Sequence, residues 1–280
     1  MACGFWVQGG EYRFWLLQPD LTNEPDLTPF FFSSGYIYRM DMTAAVETFE
    51  NKNTDEWYEE LKHKTSKKDI NALLHETKSQ VFFVHQKEFE RENSFLALLK
   101  KPGNNELYRY FILSKKLEEL ATNPDPWDED RPPSPISNAL IREADSMYRS
   151  SHSSFLKLRI AYQLMRLYAI NGQPEKLHRV YDAWIDPVKT NSWIKTAALY
   201  RKATHTPGLK SDYLLSKVFD RGGYYRSQCL LQFHTRHTDS ILLFAKNHQE
   251  RTVINAMEVF NYPGRCLARL KSIYSGEPGY

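Results

Sequence analysis

Two histidines three positions apart are the closest approach to a metal site in this sequence. His234 and His237 are followed by Asp239, and on one helix such a pair could share a zinc ion. A third ligand and a general base are not evident, and nine histidines make a close pair expected by chance. No G-x-S-x-G, Walker or dinucleotide-binding motif occurs, so the sequence favours a non-catalytic protein without a cofactor.

A second group of residues could bind an anionic partner. Arg159, Tyr162 and Arg166 lie at helical spacing, and Lys195 and Lys202 lie seven positions apart on a later helix. Guanidinium and ammonium groups around a tyrosine suit a carboxylate-bearing tail or an anionic polymer. The alternative is a solvated face whose long cationic side chains pack their stems on apolar neighbours.

The helix that would carry the two arginines belongs to a helix–turn–helix signature. Leu164, Tyr168, Gly172 and Tyr181 mark it within LRIAYQLMRLYAINGQPEKLHRVYDAWIDP, a spacing that resembles a tetratricopeptide unit. Gly172 permits a tight turn because it accepts positive φ, and Pro174 suits the first turn of the second helix. Such units stack into superhelices that usually hold a partner.

The turn signals after this unit recur at a regular distance. Gly172 and Gly208 are 36 positions apart, and Pro187 and Gly222 are 35 apart. Tetratricopeptide arrays repeat at about 34 residues, although Leu177 stands where that family has a small residue. The sequence predicts an all-α fold, a tetratricopeptide-like α-solenoid of stacked helical hairpins with an irregular or extended aromatic-rich N-terminal segment.

Composition divides the chain into four parts. Residues 1–42 are aromatic-rich without helical periodicity, and they suit either a cap over the end of a helical array or a ligand-stacking surface. Residues 43–121 read as helical hairpins. Residues 122–137 hold five prolines and four acidic residues and predict a loop. Residues 138–280 are predicted to form basic tetratricopeptide-like repeats, and the first helix among them is expected to begin at residue 138.

Local signals place the helices of the first half. A helix is expected over 54–62, with two acidic residues in its opening turn, and Ser66 with Asp69 resembles a capping box. A further helix is expected over 87–100, and Asn105 precedes the clearest helical periodicity in this half.

Charge is distributed unevenly along the chain. Residues 1–154 carry 18 basic and 25 acidic residues, a balance of −7, whereas residues 155–280 carry 19 and 9, a balance of +10. This asymmetry indicates either a basic face for an anionic partner or two halves that neutralise each other when they dock.

Three cysteines carry no zinc or redox motif. Cys229 and Cys266 fall at apolar helical positions and predict buried thiols, with a disulfide as the alternative. Cys3 follows an alanine, as at the end of a lipoprotein cleavage box, although the apolar stretch upstream is missing. Cys3 is therefore a weak lipidation candidate in an exported protein, and an ordinary cytosolic start is the alternative.

Two segments together resemble a known group of proteins. ACGFWVQGGEYRFWLLQPDL near the start and SSFLKLRIAYQLMRLYAINGQ in the middle are similar to uncharacterised exported helical-repeat proteins of Bacteroidota. The resemblance covers most of the chain and implies an envelope location, in the periplasm or at the outer membrane, with an interaction role. A cytoplasmic location is the alternative.

These features favour a scaffold that captures a protein partner in the inner groove of a helical array. The alternative is an envelope lipoprotein that binds an anionic polymer or glycan through the basic half or the N-terminal aromatic residues. Nucleic acid is the poorer partner, because few aromatic residues are interleaved with the basic ones. Membrane contact is expected only through a lipid anchor.

Overall fold

The computed structural model describes residues 49–121, 135–234 and 237–258, with single helical positions at 268 and 271. Within these residues the chain forms 14 helices and no strand, which confirms the all-α prediction. The predicted aromatic segment 1–42, with Cys3, and residues 122–134 of the predicted loop lie outside the described residues, as does Cys266. None of the described helices combines the length and the apolar character that crossing a membrane requires.

Within each described stretch of the chain, the helices follow one another with short connections. Two of them, α2 and α9, continue into a π-helical turn, over Ala72–Glu76 and Tyr181–Ile185 respectively. The helices are α1 (Phe49–Glu60), α2 (Lys67–Asn71), α3 (Ser79–Val84), α4 (Gln86–Glu92), α5 (Ser94–Leu99), α6 (Asn105–Ala121), α7 (Pro135–Ser150), α8 (Ser154–Ile170), α9 (Pro174–Val180), α10 (Trp193–Thr204), α11 (Leu209–Arg221), α12 (Tyr225–Gln232), α13 (Thr238–Leu242) and α14 (His248–Glu258).

Trp57 joins α1 to the rest of the core. Its side chain is 1% exposed and meets the ring of Phe95 on α5 edge-to-face, with centroids 5.4 Å apart. It meets Phe155 on α8 in the same way at 5.1 Å. Edge-to-face pairs add about 0.5–1.5 kcal/mol each beyond the buried area, so α1 is held against both halves of the described chain.

The single helix predicted over 87–100 is wrong, because the chain breaks at Asn93. Its backbone is extended, and its side-chain oxygen accepts from the amides of Phe95 and Leu96 at 3.0 and 3.1 Å. This cap starts α5 as a separate helix. The predicted cap at Ser66 is confirmed by its bond from the Asp69 amide at 3.0 Å, and the Asp69 carboxylate accepts from the Ser94 amide.

The helix–turn–helix signature folds as predicted locally. Leu164 is fully buried, Tyr181 is 3% exposed, and Gly172 turns the chain at φ 61°. Pro174 is the first residue of α9, where a missing N–H costs nothing. Likewise α7 begins at Pro135, so residues 135–137 are helical rather than part of the predicted loop.

From α6 onwards, successive helices pack on one another. α6 contacts α7, α7 contacts α8, α8 contacts α9, and α10 contacts α11. In addition, α6 contacts α8, α8 contacts α10, and α10 contacts α12. α1 departs from this order, because it packs against α10 across a sequence separation of 137 residues, from Glu56 to Trp193. That long-range contact creates the candidate site.

Candidate functional site

A cleft of about 760 Å³ lies where α1 meets the connections between the later helices. Its walls come from α1, from the loop before α10, from the first turn of α10, and from the end of α11 with the turn into α12. Ligand pockets typically span roughly 300–1,000 Å³, so the cleft is large enough to bind a ligand. The lining residues are Lys52, Asp55, Glu56, residues 190–193, Lys195, Thr196 and residues 221–225.

Glu56 ties three helices together at the base of this cleft. Its Oε2 accepts from Arg159 Nη2 at 2.7 Å and from the Ser192 hydroxyl at 2.8 Å. Its Oε1 accepts from the backbone amide of Trp193 at 2.9 Å. A carboxylate on α1 thus serves as an N-terminal cap for α10, and both of its oxygens are engaged.

Arg159 lies behind the cleft and is 2% exposed. Its guanidinium pairs with Glu56 and lies 3.6 Å from the ring centroid of Phe155. Burial lowers the pKa of Arg159, and the charges of Tyr110 and Glu56 oppose that change. The positive charge of Arg159 therefore neutralises Glu56, the carboxylate that holds α1 against α10.

Aromatic side chains form a second wall of the cleft and its support. Tyr162 is 9% exposed and meets the Trp193 ring edge-to-face at 6.0 Å. Tyr225 stacks on Tyr200 at 4.6 Å, and Tyr224 meets Tyr225 edge-to-face at 5.1 Å. Burial, together with the neighbouring Tyr162, raises the pKa of Tyr225, so this phenol stays protonated. The wall offers flat apolar faces and neutral hydroxyl groups.

Lys195 and Arg221 bring positive charge to the cleft. The Lys195 ammonium donates to the backbone carbonyl of Asp186 at 3.0 Å and also to that of Val188. Arg221 Nη1 donates to the backbone carbonyl of Lys195 at 3.0 Å. Backbone acceptors thus hold both cations, and among the described residues neither forms an ion pair with a carboxylate.

A double-glycine turn carries the chain from Arg221 into α12. Gly222 and Gly223 have φ of 73° and 75°, a region that side chains with a Cβ rarely adopt. Open space surrounds both positions, so the backbone angle rather than crowding requires glycine. The turn places Arg221 on one side of it and Tyr224 on the other, and both line the cleft.

Of the five cationic and tyrosine residues predicted to line a groove, only Lys195 lines this cleft. Arg159 and Tyr162 lie directly behind it, against Glu56 and Trp193. Arg166 and Lys202 lie elsewhere. Arg166 donates to Gln163 Oε1 at 2.9 Å, and Lys202 pairs with Asp182 at 2.5 Å, over the ring of Tyr181. The structure therefore does not bring the five side chains together on one surface.

The two histidines do not share a helix, because α12 ends at Gln232, before His234, and His237 stands at the start of α13. The backbone amide and Nδ1 of His234 both bond to Oδ1 of the buried Asp212 at 3.0 Å. Among the described residues, no group of three His, Cys, Asp or Glu side chains could hold a metal ion. The bonds from His234 to Asp212 fix the chain after α12 against α11, and His237 precedes α13.

No local sequence pattern indicated that residues of α1 line the cleft. Asp55 and Glu56 were expected in the opening turn of a helix, but α1 begins at Phe49 and places them in its middle. Their approach to α10 is a long-range contact that no local pattern encodes. The glycine pair at 222–223 was a visible signal, although it indicated only a turn and not a binding wall.

No protein-family model, curated protein or solved structure matches this chain.

Proposed function

We propose that this chain is a non-catalytic helical-repeat module that captures a protein partner. The packing order supports a tetratricopeptide-like solenoid, because α6, α8 and α10 each contact the helix that follows and also the next but one. In such arrays the first helices of successive pairs form a continuous surface for partners. Residues 138–258 contribute most of these contacts, in agreement with the recurring turn signals of the sequence.

The observation that carries the proposal is the cleft between α1 and α10. Its walls combine aromatic faces, cations and hydroxyl groups from four parts of the chain. Its two carboxylates are already engaged, since Glu56 accepts three hydrogen bonds and Asp55 pairs with Lys67 at 2.6 Å. A general base needs a free acceptor within reach of the reacting proton, so this set of groups suits binding better than acid–base chemistry.

Site-specific photo-crosslinking tests this function. Benzoyl-phenylalanine replaces Tyr224, which lines the cleft, and in a control variant it replaces Leu243, which is 85% exposed outside the cleft. Each variant is irradiated in cells of the source organism, and the products are identified by mass spectrometry. A protein that is crosslinked from position 224 and not from position 243 supports the proposal. Equal products from both positions, or none from position 224, would overturn it.

The location of the module in the cell envelope is a separate part of the proposal. It is supported by the resemblance to exported helical-repeat proteins and by the cysteine at position 3. Metabolic labelling with an alkyne fatty acid should modify the wild-type protein and not the Cys3→Ser variant. Recovery of an unlabelled protein in the cytoplasmic fraction would contradict the envelope location and leave the binding function unaffected.

A further inference from the structure

We infer that the cleft takes an acidic peptide segment of the partner, an inference that rests on the proposed function. The charges of the lining residues are the first support. Lys195 and Arg221 line the cleft on elements other than α1, and α1 contributes Asp55 and Glu56 to the lining. Both carboxylates have cationic partners that do not line it, because Asp55 pairs with Lys67 and Glu56 pairs with a buried arginine. The lining therefore has an excess of positive charge.

The geometry of Lys195 and Arg221 suits a carboxylate. A guanidinium has five N–H donors, and contacts with the Lys195 carbonyl and the Tyr181 hydroxyl leave others for a ligand. The Lys195 ammonium has three donors, of which two are used by backbone carbonyls. Arg221 is exposed, so its planar guanidinium can bind a carboxylate through two parallel hydrogen bonds.

The opposite wall selects a peptide over a continuous polyanion. On α1 the charges of Asp55 and Glu56 are already matched by Lys67 and Arg159, so these groups offer no attraction to a phosphate or sulfate chain that runs along the cleft. A peptide is neutral along its backbone, so its carboxylates can meet Arg221 and Lys195 while its neutral part lies beside α1. Trp193 and Tyr224 supply apolar faces against which peptide side chains can pack.

The test uses the full chain and an array of octapeptides whose net charge ranges from strongly acidic to strongly basic. We expect binding to increase with the number of Asp and Glu residues, and peptides with Asn and Gln in their place to bind at least tenfold more weakly. Arg221→Gln should weaken binding of the acidic peptides at least tenfold. Lys210→Gln is the matched control, because it removes one exposed charge from the same helix outside the cleft.

Three results of the binding and competition assays would overturn the inference, in addition to a complete absence of binding. These are equal binding of acidic and amide peptides, equal binding by the Arg221→Gln variant, and displacement of the peptides by a heparin oligosaccharide that binds more tightly with a steep salt dependence. The last result would assign the cleft to an anionic polymer or glycan. If no acidic peptide binds while benzoyl-phenylalanine at position 224 still crosslinks a protein, the acidic inference fails and the proposed function stands.

Discussion

Removing the charge of Glu56 should destabilise the chain more than removing any other charge on α1. Glu56→Gln keeps the size of the side chain but leaves the guanidinium of Arg159 buried without a counter-charge. Glu56→Ala also removes the cap on the Trp193 amide. Both changes act on the contact that joins α1 to α8 and α10, so they report directly on the long-range packing that forms the cleft.

The size of the effect follows from the geometry of the pair. The nearest atoms of Arg159 and Glu56 are 2.7 Å apart, and charge centres about 4 Å apart attract each other by about 4 kcal/mol at an effective dielectric constant of about 20. Losing one member of a buried ion pair costs roughly 3–5 kcal/mol. Because the Glu56 side chain is 25% exposed, we expect about 3 kcal/mol for Glu56→Gln. The lost cap adds about 1 kcal/mol in Glu56→Ala.

Urea unfolding followed by tryptophan fluorescence measures this loss. With a denaturant slope of about 3 kcal/mol per molar, the Glu56→Gln midpoint should fall by about 1 M. The difference should persist at high salt, because Arg159 is 2% exposed and its interaction is poorly screened. Glu59→Gln is the control on the same helix. Its side chain is 71% exposed and pairs with His63, so its loss should cost no more than about 0.5 kcal/mol.

A double substitution separates the ion pair from general damage to the helix. Arg159→Met combined with Glu56→Gln removes both charges, so the double variant should unfold at a higher urea concentration than Glu56→Gln alone. The buried pair does not hold α1 in place if Glu56→Gln unfolds with the wild-type midpoint. The same conclusion follows if the losses of unfolding free energy measured for Glu56→Gln and Arg159→Met separately add up to the loss in the double variant.

Three further predictions concern single positions. Burial lowers the pKa of His75 to about 4, so stability should fall as pH drops from 6.5 towards that value, by about 1–2 kcal/mol after allowance for partial exposure. The His75→Gln variant should lack this slope in urea titrations at several pH values. Gly172→Ala should cost about 1–2 kcal/mol in urea unfolding, because φ is 61° there. Burial raises the pKa of Cys229 to about 12, so mass spectrometry should find it alkylated by iodoacetamide only after unfolding.

Most of the helical architecture could be predicted from the sequence, because its signals are local. The hydrophobic period along α6, the turn at Gly172 and the cap at Ser66 depend on neighbours within a few residues. The break at Asn93 was missed for a physical reason. Asparagine is tolerated inside a helix at small cost, so the residue type alone does not predict a break. The extended backbone of Asn93 is accompanied by a bond from its side-chain amide to the Asp69 carbonyl, a contact across 24 positions that local sequence does not show.

The candidate site was only partly predictable. Arg159 was predicted to bind a partner because helical periodicity placed it near Tyr162 and Arg166. Periodicity does not reveal, however, which side of a helix is covered by another element. α1 covers the Arg159 side, and Phe155 and Glu56 bury the guanidinium. Burial of an arginine depends on a partner carboxylate that is 103 residues away in the chain, and no spacing rule contains that information.

The charge asymmetry of the sequence has two different outcomes in the structure. Part of it is neutralised where Glu56 from the acidic half meets Arg159 from the basic half. Another part stays available at the cleft, where Lys195 and Arg221 contact backbone carbonyls. The two are linked, because the same carboxylate that neutralises the buried arginine also holds α1 beside these cations. A ligand that contacts both α1 and the two cations therefore binds only when α1 is packed against α10. Such a ligand stabilises the contact between the acidic and basic halves by mass action.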